Sequence, residues 1–232
     1  MGKQTFRALF LTACAFGTTT ASATIIVDGA SSWNGTNFVS VWGSGGTQVY
    51  GQSLVAPVGA TNLDSFSFSI QGPATGFHAV LQEWSNVLNH AVGSVLFTSA
   101  GMSTPGGPGF NEILIDASDT AVTAGLSYIL YFSTNGDSPS GNGSIWGLNG
   151  TDFFGADVVP GGGFHFFNTP SDGNLSTTSW EDFCCNAGVS DLAFTATFNE
   201  SVGNVPEPTT LALLGLGLGG LQYSRRKNAR VA

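Results

Sequence analysis

The residues of this sequence that could do chemistry begin with its carboxylates. Two carboxylates held at a fixed separation can hydrolyse a glycosidic bond. Two such pairs occur: Glu112 and Asp116, spaced to share one face of a strand, and the adjacent Glu181 and Asp182. Fourteen acidic residues lie between residues 24 and 204 and produce pairs by chance. A secreted glycoside hydrolase is therefore the weakest hypothesis, and we expect a protein that is not an enzyme.

The three histidines, His78, His90 and His165, show no metal-ligand spacing. His78 and His165 stand between apolar residues in strand-like sequence, and we expect each to be solvent-facing or hydrogen-bonded rather than a metal ligand. Neither a His-Glu-x-x-His motif nor a phosphate-binding glycine loop is present. Calcium binding by the Asp and Asn side chains of residues 135–142 stays open, although the spacing matches no known calcium loop. We predict no cofactor.

Two of the three cysteines are adjacent, Cys184 and Cys185. Neighbouring Cα atoms lie about 3.8 Å apart, closer than those of an ordinary disulfide. A vicinal bridge, a mixed disulfide with another chain and two free thiols all remain open. A metal site is not expected here, because no second cysteine pair or nearby histidine completes a ligand set.

The five tryptophans stand beside Asn, Gly, Ser and Glu in loop-like sequence. An exposed indole ring offers a sugar a flat apolar platform, and nearby polar groups can bind its hydroxyls. Trp146 and Trp180 are therefore candidate glycan contacts, and a carbohydrate-binding, lectin-like module is the alternative function. The competing interpretation is that these rings fill the protein core, where most large aromatic side chains lie.

The distribution of charge excludes one class of partner. All six basic residues lie near the ends of the chain, and residues 24–204 contain no Lys or Arg. A domain without cations cannot neutralise a phosphate backbone, so we expect no nucleic-acid binding.

Apolar residues in the middle of the chain alternate with polar ones, which is typical of half-buried strands. Residues 63–70 are the clearest example, and we expect residues 77–84 to be their antiparallel neighbour across the turn of residues 71–76. The further predicted strands are residues 47–55, 94–98, 111–116, 127–133, 163–167 and 191–198. Glycine- and proline-rich turns separate them. The pattern predicts an all-β domain over residues 24–203, a β-sandwich that is jelly-roll-like.

The first 23 residues have the pattern of a secretory signal peptide. Lys3 and Arg7 precede an apolar run, and the small residues Ala21, Ser22 and Ala23 predict cleavage before Thr24. Cleavage there would remove the third cysteine and leave an exported domain.

The last residues, 204–232, combine three features in a fixed order. Val205, Pro206, Glu207 and Pro208 form a short motif, and the uncharged residues 209–223 follow it. As a helix this run would be about 22 Å long, shorter than the roughly 30 Å of a bilayer core, so we predict a short, weak transmembrane helix. The basic end, residues 224–232, then favours the cytoplasmic side; its cations are Arg225, Arg226, Lys227 and Arg230.

This C-terminal arrangement resembles the PEP-CTERM sorting signal, a segment also named the ice-binding protein C-terminal domain. The resemblance implies recognition by an exosortase, a transpeptidase-like membrane enzyme, and processing near Val205 to Pro208. It also implies an inner-membrane intermediate and delivery to the surface or extracellular matrix of a Gram-negative bacterium that makes exopolysaccharide or biofilm. We therefore expect an exported, non-enzymatic surface or matrix protein that contacts the membrane transiently and associates with extracellular polysaccharide.

Overall fold

The computed structural model describes residues 22–33, 38–43, 46–72, 75–137, 142–145, 147–148, 158–168, 171–181, 191–201 and 215–219. The chain divides into two units. One comprises residues 22–201 and contains all the strands given below. The other comprises the two chain ends, of which the structure describes residues 215–219, an exposed helical stretch.

Antiparallel strands dominate the first unit, as the sequence predicts. In chain order they are β1 (Ser22–Asp28), β2 (Val39–Gly43), β3 (Val49–Val55), β4 (Ala60–Gln71), β5 (Thr75–Ser85), β6 (His90–Thr98), β7 (Met102–Ser103), β8 (Phe110–Ala121), β9 (Ser127–Ser133), β10 (Asn142–Ile145), β11 (Gly147–Leu148), β12 (Gly163–Phe167), β13 (Asp191–Leu192) and β14 (Phe194–Ser201). Two short 3₁₀ helices, Ala30–Ser32 and Asp172–Asn174, are the helical elements described in this unit.

The strands form two six-stranded sheets. Sheet I has the order β1-β14-β4-β10-β2, and β8 pairs with the other side of β4. Sheet II has the order β12-β3-β9-β5-β6, and β7 pairs with β5. A two-stranded ladder of β11 and β13 completes the described pairings. The all-β prediction is confirmed.

The predicted pairing of residues 63–70 with residues 77–84 is wrong. The first segment lies in β4 of sheet I and the second in β5 of sheet II. Both sides of β4 are already occupied, because Phe66 is opposite Ala196 of β14 and Ile115 of β8. Alternation identifies the buried face of a strand but not its neighbour, so the turn after β4 carries the chain from one sheet to the other.

One large apolar cluster joins the two sheets. Alternate residues of β4 and β14 contribute Phe66, Phe68 and Phe194, each at most 1% exposed. Phe68 packs edge to face on Phe132 of sheet II, with ring centroids 5.1 Å apart. Such contacts add about 1 kcal/mol per pair beyond the area that they bury. The period-two pattern of the sequence therefore identifies these core residues correctly.

Other strand boundaries agree with the sequence to different degrees. The predicted strands 127–133 and 163–167 coincide with β9 and β12. The predicted strand 191–198 is divided between β13 and β14 by Ala193, although its inward residues are buried as expected. β1, β2, β7, β10 and β11 are not among the predicted strands, because they are short or lack a regular apolar alternation.

The core predicts one stability effect in sheet II. Gly51 of β3 is paired with Tyr131 of β9, and an added Cβ would sit 2.8 Å from Cβ of Tyr131 and 3.0 Å from Cδ1 of Ile129. We expect Gly51→Ala to lower the free energy of unfolding by about 1–3 kcal/mol through overpacking. Gly109→Ala, where no atom lies within 4 Å, is the control and should change it by less than about 0.5 kcal/mol. Urea unfolding of both variants measures the difference, and equal effects would contradict the prediction.

Candidate functional site

The outer face of sheet II is unusual for a sheet surface because it is covered. Alternate residues of β9 divide between two apolar clusters: Leu130 and Phe132 belong to the core shared with sheet I, whereas Ile129 and Tyr131 belong to a second cluster. The second cluster also contains Trp84 of β5. This face is therefore aromatic and buried, and another part of the chain must cover it.

Residues 171–181, here called the cover segment, lie over this aromatic face. Its Trp180 is 2% exposed and packs edge to face on Tyr131 and Trp84, with centroid distances of 5.4 and 5.5 Å. The Trp180 indole N–H donates to the carbonyl of Leu175 at 2.9 Å. The backbone N–H of Trp180 donates to Asn89, whose side-chain amide donates back to the carbonyl of Trp180. The apolar end of the cover segment is thus fixed by packing and hydrogen bonds.

A charged cluster fixes the other end of the cover segment. His78 of β5 lies between two carboxylates: its Nδ1 is 2.5 Å from Oδ2 of Asp137, and its Nε2 is 3.1 Å from Oδ2 of Asp172 in the cover segment. The second oxygen of Asp172 accepts hydrogen bonds from the Ser133 hydroxyl at 2.7 Å and the Asn135 amide at 2.8 Å. One imidazole therefore links β5, the loop after β9 and the cover segment, an arrangement that we call the His78 clamp.

The geometry of the His78 clamp favours the imidazolium form. A neutral ring donates from only one nitrogen, so a ring that faces a carboxylate at each nitrogen is stabilised when both are protonated. The hydrogen bond to Asp172 is the main reason that the pKa of His78 is raised; desolvation opposes it, and Asp137 adds to it. Burial alone would raise the pKa of Asp172, but hydrogen bonds from His78, Ser133 and Asn135 lower it overall.

A second polar pair lies on the same face. The hydroxyl of Ser53 and Nε2 of His165 are 2.9 Å apart, within the range of a nucleophile and its general base. The His165 ring also lies 4.2 Å from the Trp84 ring. However, Ser53 is 1% exposed and His165 8% exposed. A substrate carbonyl could not reach this hydroxyl in the described structure, so the arrangement acts in packing and hydrogen bonding.

Of the predicted carboxylate pairs, the structure describes both members of one. Glu112 and Asp116 both lie on the exposed face of β8, where four residues span about 13 Å. Glu112 accepts a hydrogen bond from Ser67. Glu181 is exposed, and Asp182 lies outside the described residues.

The two candidate glycan contacts have different outcomes. Trp180 is buried in the cover segment, so its ring offers no face to a sugar and its position does not support the lectin-like hypothesis. Trp146 lies outside the described residues. Trp42 and Trp84 are also buried, in agreement with the competing interpretation that tryptophan fills the core.

Other predicted sites fall partly outside the described residues. Cys184 and Cys185 lie there, and so do the short motif at 205–208 and the cations at Arg225, Arg226, Lys227 and Arg230. In the parts of the chain that are described, no helix combines the length and apolar character needed to cross a membrane. Within those same parts, no group of three or more His, Cys, Asp or Glu side chains is arranged to hold a metal ion.

The sequence predicts that His78 is a solvent-facing or hydrogen-bonded strand residue, and the structure confirms the hydrogen-bonded alternative. The sequence does not predict its two partners. Asp137 and Asp172 lie 59 and 94 residues away in sequence. The available signal was indirect: a domain without Lys or Arg leaves histidine as its only cationic partner for a carboxylate.

Comparison with known proteins identifies the C-terminal segment. Residues 204–227 match the family model described as the PEP-CTERM protein-sorting motif. The chain is therefore an all-β protein that carries a PEP-CTERM sorting motif, the signal of exported proteins that are sorted by an exosortase. A comparison with curated proteins gives no significant match.

Two solved structures show partial similarity. One contains the cysteine protease and lectin-like domains of Cwp84, a surface layer associated protein of Clostridium difficile; it shares 10% identity and a TM-score of 0.38, over 67% of this chain and 32% of that one. The other is from infectious bursal disease virus, Gx strain, with 11% identity and a TM-score of 0.24, over 85% of this chain and 49% of that one. The chain spans about a third of the length of the first structure and about half of the length of the second.

The His78 clamp predicts a dependence of stability on pH. Because the folded pKa of His78 is raised above 6.5, its contribution is fully present below that pH and is lost as the pH rises through the folded value. The contribution of Asp172, whose pKa is lowered below 3.8, is lost only as the pH falls through its folded value. We expect His78→Gln to lower the free energy of unfolding by about 2 kcal/mol at pH 6 and by less at pH 9.

Urea unfolding at pH 6 and pH 9 measures this effect. His90→Gln is the control, because the described hydrogen bond of His90 is to the carbonyl of the next residue, Ala91. Hydrogen exchange should become faster in residues 171–181 of the His78→Gln protein. The same loss at both pH values, or a loss equal to that of His90→Gln, would show that the clamp does not act through charge.

Proposed function

We propose that this protein is an exported, non-enzymatic cargo domain that an exosortase processes and releases to the cell surface or extracellular matrix. The observation that carries the proposal is the match of residues 204–227 to the PEP-CTERM sorting motif. In this proposal residues 1–23 are the signal peptide, residues 24–203 the delivered domain and residues 204–232 the sorting signal. The host is a Gram-negative bacterium, and the inner membrane holds the processing intermediate.

Charge and composition support the assignment of residues 24–203 as the delivered domain and residues 204–232 as the sorting signal. Every Lys and Arg lies in residues 1–23 or 204–232, where positive charge sets membrane orientation. Residues 209–223 are uncharged and contain four glycines, which weaken a helix by roughly 1 kcal/mol each. A short, weak helix suits a transient membrane stop better than a permanent anchor.

For the domain itself we propose a β-sandwich of jelly-roll type that serves a structural or adhesive role in extracellular polysaccharide. The aromatic contacts between sheets I and II support the packed arrangement. A role without catalysis is supported by the burial of the Ser53–His165 pair. Removal of residues 1–23 would leave residues 24–28 of β1 paired with residues 195–199 of β14, so the proposed cleavage preserves most of that ladder.

Mass spectrometry of the protein from its native host tests the processing step. We expect the mature protein to begin at Thr24 and to lack the C-terminal residues 224–232, because the exosortase acts near the 205–208 motif. The double variant Pro206→Ala, Glu207→Ala should keep its basic end and stay in the membrane fraction. A double variant in the same segment outside the motif, Gln222→Ala, Ser224→Ala, is the control and should be processed normally. Recovery of an intact C-terminal peptide from wild-type protein at the cell surface would contradict the proposal.

A further inference from the structure

The strand β8 forms an edge of sheet I that could accept another strand. It pairs with β4 along one side, and no other described strand pairs with it. Along that second side, alternate residues direct their backbone N–H and C=O groups away from the sheet. The pairing with β4 is regular up to Asp116 and shifts beyond it, where Ser118 and Asp119 have positive φ. The regular part of the edge is therefore residues 110–116.

A cavity of about 330 Å³ lies beside this edge. Leu114 and Asp116 of β8 border it. Phe97 at the end of β6, Met102 of β7 and Ile115 of β8 give it an apolar lining. All three pack in the core cluster shared by the two sheets. A strand added alongside β8 would direct alternate side chains toward this cavity, because side chains on one face of a sheet stay in line across neighbouring strands. The volume is at the small end of the range for ligand pockets and suits an inserted apolar side chain.

The exposed side chains of the same edge define the charge of the partner. Glu112, Leu114 and Asp116 alternate along the outer face of β8, all exposed, and Leu114 is 68% exposed. Directly opposed side chains in antiparallel strands lie about 4.5–5.5 Å apart, close enough for ion pairs. A complementary strand therefore carries a basic residue, an apolar residue and a second basic residue at alternate positions.

A second copy of this domain does not meet that requirement. Antiparallel pairing of two β8 edges about Leu114 would place Glu112 of each copy opposite Asp116 of the other, and like charges directly opposed are destabilising. Residues 24–204 contain no Lys or Arg, so no other edge of the domain can supply the basic residues. The charge pattern thus disfavours self-pairing and favours a basic partner.

We propose that the β8 edge, residues 110–116, is a docking site for an extended basic segment of a partner protein, which adds a strand to sheet I. The partner's basic side chains pair with Glu112 and Asp116, its central apolar side chain covers Leu114, and an inward apolar side chain enters the cavity beside Ile115. Backbone hydrogen bonds supply affinity in this mode of recognition, and the side-chain pattern supplies specificity. This interaction is independent of the sorting motif.

The test uses the full chain and a fluorescein-labelled peptide with blocked termini, Thr-Lys-Ile-Val-Thr-Lys-Thr. A counterpart peptide carries Glu in place of both Lys residues. Fluorescence anisotropy should show saturable binding of the basic peptide and at least tenfold weaker binding of the acidic one. The double variant Glu112→Lys, Asp116→Lys should reverse this preference. Asp28→Lys, on the exposed face of the edge strand β1, is the matched control and should leave the affinity for the basic peptide within twofold.

Further measurements separate folding defects from loss of the site. If the double variant unfolds at lower urea concentration than the wild type, Glu112→Gln, Asp116→Asn replaces it, and we expect a tenfold loss of affinity for the basic peptide without reversal. Hydrogen exchange should show new protection in residues 110–116 when the basic peptide binds. Equal affinity in the wild type and the charge variants, protection confined to other strands, or absence of binding to the wild type would each overturn the proposal.

Discussion

The absence of Lys and Arg from residues 24–204 is the constraint on which much of this structure depends. A buried carboxyl group is costly unless hydrogen-bond donors surround it. In most proteins a guanidinium or ammonium group supplies some of those donors. Here Asp191, which is fully buried, accepts hydrogen bonds from the Gln52 amide and from the backbone N–H groups of Val158 and Val159. Gln52 in turn accepts from the backbone N–H of Leu192. Amide and backbone groups thus perform the role that cations perform elsewhere.

The same constraint gives His78 its importance. Hydroxyl and amide donors from Ser133 and Asn135 occupy one oxygen of Asp172, and the imidazole occupies the other. Because this ring also contacts Asp137, it reduces the repulsion between two carboxylates that no Lys or Arg could reach from within the domain. The cover segment is therefore held by packing at Trp180 and by charge at Asp172. These two attachments differ in their response to pH, since only the second one titrates.

Periodicity allowed part of this architecture to be predicted from the sequence. Strands β9 and β12 and the buried faces of β4 and β14 follow directly from alternation, because a half-buried strand needs one apolar side. The separation of β4 and β5 into different sheets could not be derived in this way, since alternation contains no information about which edges are already occupied. The His78 clamp was equally inaccessible, because its carboxylates come from residues 59 and 94 positions away. The burial of Trp180 depends on the path of the cover segment, which its loop-like sequence does not reveal.

Charge segregation connects the domain to its proposed route. In the proposed route, basic residues at both chain ends set membrane topology, and processing removes both ends. The delivered domain would then contain no Lys or Arg. Antiparallel pairing of two β8 edges about Leu114 would be repulsive, because Glu112 of each copy would oppose Asp116 of the other. An exposed edge is otherwise a risk for aggregation, and carboxylates on its outer face counter that risk. The acids that prevent self-pairing also select for a basic partner, because the same Coulomb term changes sign when the opposing side chains are cations.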